Sequence, residues 1–474
     1  MPPAQINKMG SYKFKQNEVS MYYYEFLQSK QHTTNNFGFK ANYIPDIAFD
    51  FQRFIIEKAV AKGRVAIFAD TGLGKTLMQI SIANNIIRET NKRVLILTPL
   101  AVAFQFILEA EKLGIDDIEY SKDGKFSKNI VICNYERLHY FDSNDFEAVI
   151  LDESSILKNF DGKIKAHVTQ FMRKIPYRFI STATPSPNDY VELGTSSEAL
   201  GYLSYMDMLG RFFANNENNI RPQEIGCKWY LKPHAHDDFF RWVNQWSITI
   251  KKPSDLGFSN KGYDLPKLHT HINIVENKAN LSSNGQIELF VRPAMTMTEV
   301  KEEQKQTINQ RCEKAVELAK SHDTSVYWVN FNDEAKRLRE LDSSASEISG
   351  SMKLEEKEEL LLAFSNGEIK KLITKAKITS MGLNWQHCTH TVFFPTWSYE
   401  QYYQSIRRFW RFGQKNEVIC DLVISDGQTR VVNALELKMK KAKDMYENLN
   451  AQVNKTYDFK CEKTIIDIKK PSFI

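Results

Sequence analysis

The stretch Ala69-Asp-Thr-Gly-Leu-Gly-Lys-Thr76 decides the fold of this chain. It follows an apolar, strand-like run at Val65–Phe68 and opens a helical pattern that begins at Leu77. A glycine-rich turn between a strand and a helix lets backbone N–H groups approach phosphate groups, and the helix N-terminus adds positive potential. We therefore predict a P-loop, although Ala69 stands where the usual pattern has its first glycine.

The composition is that of an ordinary globular protein, with 42% hydrophobic and 26% charged residues. A net charge of +5 permits nucleic acid as a partner without requiring it. The six cysteines form no Cys-x-x-Cys pair, which argues against a zinc module or a disulfide framework and fits a reducing compartment. The polar start is not typical of a signal peptide, and no apolar run approaches the roughly 18 residues of a membrane span. We expect a soluble, cytoplasmic protein without a membrane partner.

Short β-like runs alternate with helical patterns in two regions of the 474 residues. This alternation predicts an α/β fold with two parallel sheets covered by helices. The predicted strands are Val65–Phe68, Val94–Leu97, Ile130–Cys133, Ala148–Leu151, Phe179–Ser181, Ile272–Val275, Val326–Val329, Leu372–Thr374, Val392–Phe394 and Val418–Leu422. The predicted domains are a lead-in (1–45), a first lobe (46–187), a helical protrusion and linker (188–265), a second lobe (266–441) and a lysine-rich tail (442–474).

Asp152 and Glu153 end the apolar run at Val149–Leu151. In a P-loop protein the end of such a strand lies beside the nucleotide, so Asp152 is expected to hold Mg²⁺ together with the Thr76 hydroxyl. Glu153 is then expected to orient and deprotonate the attacking water. The hydroxyls of Ser181-Thr-Ala-Thr184, at the end of a later strand, are expected to reach the same acids.

Gln52 precedes the P-loop lysine and offers a donor and an acceptor that match the edge of adenine. The alternative is an exposed glutamine at a helix start. With Lys75 reaching the β- and γ-phosphates, ATP is the expected nucleotide. The predicted ATP-binding residues are Gln52, Ala69, Asp70, Thr71, Gly72, Leu73, Gly74, Lys75 and Thr76.

The second strong pattern is Gln404-Ser-Ile-Arg407-Arg408-Phe-Trp-Arg411-Phe-Gly-Gln414. Arg408 and Arg411 are three apart, so we expect them on one helical face, presented to the triphosphate as arginine fingers. The alternative is a basic helix face that binds a phosphate backbone. The predicted coupling residues, which would connect the nucleotide to a bound polymer, are Thr182, Ala183, Thr184, Gly382, Asn384 and Gln404.

With these motifs in this order, the chain resembles the superfamily 2 helicase-like ATPases, which are related to DEAD/DEAH-box helicases, and in particular the Swi/Snf-type translocases of double-stranded DNA. The resemblance runs from Gln52 to about Lys441. As a whole, the chain resembles the small versions of this family found in bacteria and phages. It implies two RecA-like lobes with ATP and Mg²⁺ bound between them, and a segment near Lys438 that braces the lobes. Among its departures, Ser155 stands where many relatives have histidine, and Arg407 stands where they have an acidic residue.

The resemblance implies DNA as the partner, with phosphates held near Thr98, at an expected helix start, and near Thr374. The first hypothesis is a motor that uses ATP to move along duplex DNA and remodel what it meets. A second is strand separation, annealing or branch migration at forks. A replication protein is one of the partners considered. A third, from another class, is an ATP-gated clamp or loader for a nuclease or methyltransferase partner.

Overall fold

The computed structural model describes residues 37–99, 102–158, 162–216, 228–277, 297–378 and 384–456. Most of the predicted lead-in, the Gly382 turn and the end of the predicted tail therefore lie outside the described residues. The helices are α1 (Asp50–Lys62), α2 (Lys75–Thr90), α3 (Ala103–Lys112), α4 (Lys163–Arg173), α5 (Leu193–Leu200), α6 (Tyr205–Phe212), α7 (His236–Trp246), α8 (Met297–Gln306), α9 (Ile308–Ala319), α10 (Asn332–Leu341), α11 (Leu354–Ser365), α12 (Tyr399–Ile406) and α13 (Thr429–Thr456). The strands are β1 (Arg64–Ala69), β2 (Arg93–Thr98), β3 (Ile118–Tyr120), β4 (Ile130–Asn134), β5 (Phe146–Asp152), β6 (Tyr177–Ser181), β7 (Phe213–Asn215), β8 (Trp229–Leu231), β9 (Ser247–Ile250), β10 (Leu268–Val275), β11 (Ser325–Trp328), β12 (Ala345–Ile348), β13 (Lys371–Thr374), β14 (His390–Phe393) and β15 (Val418–Ser425).

The first lobe is built on a seven-stranded sheet in the order β3-β4-β2-β5-β6-β1-β9. All of its strand pairs are parallel. Side chains alternate along each strand, so the sheet is buried on both faces: Phe68 points into one apolar cluster and Ile67 into the other. The α/β class predicted from the alternating pattern is confirmed for this lobe.

The second lobe has a six-stranded sheet in the order β10-β15-β14-β11-β13-β12, again with only parallel pairs. Trp328 on β11 packs into the cluster beneath α12 and α13, while Tyr327 packs into the cluster on the other face. Every predicted strand is present in the two sheets. The strands β3, β9 and β12 were not predicted.

The segment 188–265 is not a helical insertion alone. It contains the antiparallel pair β7 and β8, and it also contains β9, which pairs in parallel with β1 at the edge of the first sheet. The side chains of Trp242 and Trp246 are buried in the core of the first lobe, so they are structural and do not form an exposed stacking surface.

The helix α13 connects the lobes. It starts after the last strand of the second sheet, and near its end Met445, Tyr446 and Leu449 are buried in the core of the first lobe. The first half of the predicted tail is therefore the end of this helix. Within the ranges given above, no helix is both long enough and apolar enough to cross a membrane.

Candidate active site

The loop of residues 70–74 joins β1 to α2 at the carboxyl edge of the first sheet. Gly72 and Gly74 have φ angles of +85° and +79°, a region that glycine enters without strain. A Cβ atom at Gly74 would lie 2.3 Å from the Gln52 amide nitrogen, so a side chain there would displace Gln52. Helix α2 begins at Lys75, directly after Gly74, and its free N–H groups face the loop.

The side chain of Lys75 folds back over the P-loop from the first turn of α2. Its Nζ donates to the carbonyl oxygens of Ala69 at 2.9 Å and Asp70 at 3.2 Å. Burial lowers the pKa of Lys75, and the nearby carboxylates Glu153 and Asp152 oppose this shift. A cation held at the start of a helix and opposite two carboxylates is suited to bind phosphate oxygens together with a divalent cation.

Asp152 is the last residue of β5, and both of its carboxylate oxygens accept hydrogen bonds. Gln79 donates to Oδ1 at 3.0 Å, and the Thr98 hydroxyl donates to Oδ2 at 3.2 Å. Burial raises the pKa of Asp152, while these hydrogen bonds and the charge of Lys75 lower it. The two donors fix the orientation of the carboxylate, as outer-shell groups do around metal ligands.

Glu153 adopts a φ of +53°, which is uncommon for a residue with a side chain. Its Oε1 accepts a hydrogen bond from the Thr182 hydroxyl at 2.8 Å and lies 3.3 Å from the Ser155 hydroxyl. None of the described residues donates to Oε2, so this oxygen remains available to a water molecule. Burial raises the pKa of Glu153; the charge of Lys75 opposes this shift, and the charges of Asp152 and Glu400 add to it.

The three predicted coupling residues of the first lobe follow β6 and are buried beside Glu153. The Thr182 hydroxyl, besides contacting Glu153, accepts a hydrogen bond from the Thr184 N–H at 3.0 Å. The carbonyl of Ala183 accepts a hydrogen bond from the Tyr446 hydroxyl on α13 at 2.8 Å. The segment therefore contacts both the expected base and the helix that joins the lobes.

Arg408 and Arg411 reach the same cleft from the second lobe, but not from a helix. Helix α12 ends at Ile406, and both arginines lie in the turns that follow it. This corrects the prediction of a shared helical face. Burial lowers the pKa of each guanidinium to about 10. The Nε of Arg411 is buried and forms no hydrogen bond with the described residues, so an anion in the cleft would stabilise it.

A cavity of about 300 Å³ brings these groups together between the lobes. Predicted site residues that line it are Thr71, Gly72, Gly74, Lys75, Thr76, Asp152, Glu153, Asn384, Gln404, Arg408 and Arg411. The cavity is lined by one lysine and three arginines, together with the Asp152–Glu153 pair, Glu109 and the Thr76 hydroxyl. This donor set fits a triphosphate with Mg²⁺, whose preferred ligands are carboxylate, hydroxyl and phosphate oxygens.

Gln52 lies behind the P-loop and is not among the residues that line the cavity. Its Nε2 donates to the Leu73 carbonyl at 2.9 Å, and its Oε1 accepts from the Phe49 N–H at 3.0 Å. The side chain is only 4% exposed. In this structure Gln52 therefore supports the loop through both ends of its amide.

Thr98 and Thr374 are not at a surface, which corrects the expectation that they contact DNA. Thr98 ends β2 and does not start a helix, and its hydroxyl is committed to Asp152. Thr374 ends β13, and its hydroxyl donates to the Ile348 carbonyl at 3.5 Å. Both residues are at most 1% exposed. Thr98, expected at a helix start, and Thr374 were predicted to hold phosphate groups, but here their hydroxyls bond within the lobe.

Sequence reasoning missed three residues of the site. Gln79 lies one helical turn after Lys75, a spacing that could have indicated a shared face. Arg407 appeared only as a departure from the family pattern, yet it lines the cavity and forms an ion pair with Asp70 at 2.6 Å. Tyr403 also donates to Asp70 from the second lobe. No local pattern indicated the last two contacts.

Comparison with known proteins gives two family matches. The model of the DEAD/DEAH box helicase family matches residues 49–193, and that of the helicase conserved C-terminal domain matches residues 307–413. The first match falls on the first lobe and the second on the second lobe, and together they span just over half of the chain. No curated protein matches the sequence. One similar solved structure is the Sulfolobus solfataricus SWI2/SNF2 ATPase core in complex with dsDNA, with 18% identity, a TM-score of 0.41 and coverage of 87% of this chain and 96% of that chain.

Proposed function

Because this chain belongs to the superfamily 2 helicase-like ATPases, and is thus an ATP hydrolase, we propose that it uses the hydrolysis to move along duplex DNA. The observation that carries the proposal is the cavity between the lobes. There Lys75 and the Asp152–Glu153 pair face Arg408 and Arg411 from the other lobe. A site divided in this way links the state of the nucleotide to the relative position of the lobes.

The proposed chemistry assigns the hydrolysis to this chain's own side chains. Glu153 accepts, on Oε2, a proton of the water that attacks the γ-phosphorus, while the bond to the bridging oxygen of ADP breaks. Lys75 holds the β- and γ-phosphates, and Arg408 and Arg411 stabilise the charge that spreads over the transferring phosphoryl group. Thr182 holds the other oxygen of Glu153, so the base keeps its orientation.

Thr76 and Asp152 are the residues that would hold Mg²⁺. When bound, the ion would neutralise charge on the β- and γ-phosphates. Gln79 and Thr98 keep the Asp152 carboxylate turned toward the cavity, since each donates to one of its oxygens. These two hydrogen bonds therefore set the direction in which the Asp152 carboxylate would meet the ion.

The track is proposed to lie along a basic groove in the second lobe. A cavity of about 490 Å³ opens at the carboxyl ends of β11 and β13, and Lys301, Lys375 and Lys377 line it. No acidic side chain lines this cavity among the described residues. Lysines without acidic neighbours suit a phosphate backbone, and such contacts carry no base information, so movement would not require base-pair opening.

The choice of duplex over single strands rests on the sequence resemblance to duplex translocases and on the brace between the lobes. Lys438 on α13 donates to the Asn188 side chain at 3.0 Å and to the Trp397 carbonyl at 2.7 Å, so one side chain joins elements of both lobes. Its position matches the bracing segment that the resemblance implies.

The test measures ATP hydrolysis with duplex, single-stranded and forked DNA, together with displacement of a third strand from a triplex. We expect duplex DNA to stimulate hydrolysis most, and the triplex strand to be displaced without opening of the duplex. A stronger response to single strands, with efficient unwinding of a tailed duplex, would favour the strand-separating alternative. Tight DNA binding with almost no turnover would favour the clamp.

A further inference from the structure

Helix α12 and the residue directly after it present three side chains to the first lobe. Glu400 and Tyr403 lie three residues apart on the helix, and Arg407 follows its last residue, with its backbone N–H donating to the Tyr403 carbonyl at 3.0 Å, so the three side chains lie on the same side. Glu400 accepts a hydrogen bond from the Ser155 hydroxyl at 2.5 Å and pairs with Lys158. The other two contact the P-loop. These three side chains therefore contact both the P-loop and the segment that follows Glu153 in the first lobe.

Of these three residues, Arg407 makes the most polar contacts with the P-loop. Its guanidinium pairs with Asp70 at 2.6 Å, donates from Nε to the Thr71 hydroxyl at 2.6 Å, and donates to the Thr71 carbonyl at 3.3 Å. Tyr403 donates to the other carboxylate oxygen of Asp70. Arg407 is 5% exposed and Asp70 is 8% exposed, so the pair is shielded from water.

Arg407 also differs electrostatically from its neighbours. Burial acts against its charge, but Asp70 and Tyr403 outweigh that effect and raise its pKa. Burial lowers the pKa of Arg408 and Arg411, which have no such partner in the described ranges. The positive charge of Arg407 is thus used within the protein, whereas those of Arg408 and Arg411 are available to a ligand.

We propose that Arg407 is the positioning residue of the arginine fingers: by binding Asp70 and Thr71 it fixes the turn that carries Arg408 and Arg411 against the P-loop. The physical reason is the position of that turn beyond the end of α12: backbone bonds such as the one from the Arg408 N–H to the Ser405 carbonyl at 3.2 Å shape the turn, and the Arg407 side chain ties it to the opposite lobe. Arg408 follows Arg407 directly, so an anchor on the P-loop sets where the next guanidinium lies. A bidentate guanidinium is suited to this role because it fixes direction as well as distance.

The inference rests on the proposed function, because it assumes that Arg408 and Arg411 stabilise the transferring phosphoryl group. The experiment compares single-turnover ATP hydrolysis, at saturating duplex DNA, with equilibrium binding of a non-hydrolysable ATP analogue. The variants are Arg407→Ala, Asp70→Asn, Tyr403→Phe, Arg408→Ala, Arg411→Ala, the double variant Arg408→Ala/Arg411→Ala and the triple variant Arg407→Ala/Arg408→Ala/Arg411→Ala. The control is Lys441→Gln, which removes an ion pair between α13 and Asp189 away from the P-loop.

We expect Arg407→Ala to slow hydrolysis by about 10- to 100-fold, since a displaced catalytic group costs rate, while the Kd of the analogue changes less than about threefold. Asp70→Asn should reproduce this pattern, because it removes the other half of the anchor. Tyr403→Phe removes one hydroxyl and should slow hydrolysis to a smaller extent. This milder variant still tests the anchor if Arg407→Ala folds poorly. Lys441→Gln should hydrolyse ATP like the wild type.

The triple variant separates positioning from direct action. If Arg407 acts only through the fingers, removing it from Arg408→Ala/Arg411→Ala should cost much less than removing it from the wild type. Independent, multiplying losses would overturn the inference, as would an equal loss of analogue affinity in Arg407→Ala or wild-type hydrolysis by Asp70→Asn. Wild-type hydrolysis by both Arg408→Ala and Arg411→Ala would instead overturn the finger role in the proposed function.

Discussion

Asp152 and Glu153 are adjacent in the chain but have different environments. Asp152 is held on both oxygens, by Gln79 and Thr98, whereas Glu153 is held on one oxygen only, by Thr182 at 2.8 Å. The left-handed backbone at Glu153 turns its side chain away from the direction that a continuing strand would give it. Asp152 thereby has the fixed orientation that the proposed Mg²⁺ site requires, and Glu153 keeps an oxygen available for the proposed role as a base.

At this scale we expect Glu153→Gln to bind ATP almost normally but to hydrolyse it at least about 100-fold more slowly, because an amide cannot accept the proton of the attacking water. The measurements are equilibrium nucleotide binding and single-turnover hydrolysis. Lys75→Ala is the comparison, and it should abolish hydrolysis because its methyl group cannot offset phosphate charge. A Glu153→Gln variant that turns over like the wild type would remove Glu153 from the mechanism.

Gln79 provides a second prediction for single residues. Gln79→Leu removes the donor to Asp152 and should raise the Mg²⁺ concentration needed for half-maximal hydrolysis by about 10-fold or more, as loss of an outer-shell partner does. The check is a Mg²⁺ titration of ATPase activity. Ser81→Ala is the control, since Ser81 is also a buried polar residue of α2 but bonds the Leu77 carbonyl instead. An unchanged Mg²⁺ requirement would show that Gln79 has no role in metal binding.

Among the elements, α13 shows how a helix of one lobe becomes part of the core of the other. Its residue Leu449 is fully buried in the first lobe, while Leu437, earlier on the same helix, is 54% exposed. Asn244 on α7 donates to the Leu449 carbonyl at 2.9 Å, which fixes the contact along the helix. The apolar residues of α13 therefore contribute to the hydrophobic cores of both lobes.

We expect Leu449→Ala to lower the free energy of unfolding by about 2–5 kcal/mol, the usual cost of a buried leucine truncation. Leu437→Ala is the matched control and should change it by less than about 0.5 kcal/mol, because its side chain is mostly in solvent. Urea denaturation followed by circular dichroism measures both. Equal effects of the two substitutions would contradict the docking of the end of α13 in the first lobe.

For the molecule as a whole, two lobes with the same sheet architecture present their loops to one cleft, and the basic groove lies at the carboxyl edge of the second sheet. Lys377 in this groove is exposed, whereas Lys92 lies at the opposite edge of the first sheet and pairs with Glu147 at 2.6 Å. We therefore expect the phosphate backbone of DNA to bind on one side of the protein only.

Duplex binding should weaken steeply with salt, and Lys377→Ala should reduce the slope of log K against log [salt] by about 0.9, the value for one lost phosphate contact. The same substitution should weaken binding to unrelated duplex sequences equally, because phosphate contacts carry no base information. Lys92→Ala should leave the slope unchanged. Fluorescence anisotropy over a salt series gives both slopes, and an unaltered slope for Lys377→Ala would remove this groove from the track.

Much of the fold was predictable because its signals are local. Strands buried on both faces appear as apolar runs, so the runs at Val94–Leu97 and Ala148–Leu151 indicated central strands. The strands that were missed lack this signal: β3 has three residues, β12 reads Ala-Ser-Glu-Ile, and β9 directly follows the aromatic helix α7. Short edge strands depend on a neighbouring strand for their hydrogen bonds, and that neighbour is not visible in a local window.

By itself the sequence determined the phosphate-binding loop, the carboxylate pair at a strand end and the alternation of strands and helices, because each depends only on residues that are neighbours in the chain. Only the tertiary structure decided that Thr98 is buried against Asp152, that Arg407 binds the P-loop and that α13 ends in the first lobe. The physical reason is that the partner of a polar side chain, or the cover of an apolar one, is whatever the fold brings beside it. For these residues, that partner comes from a distant part of the chain.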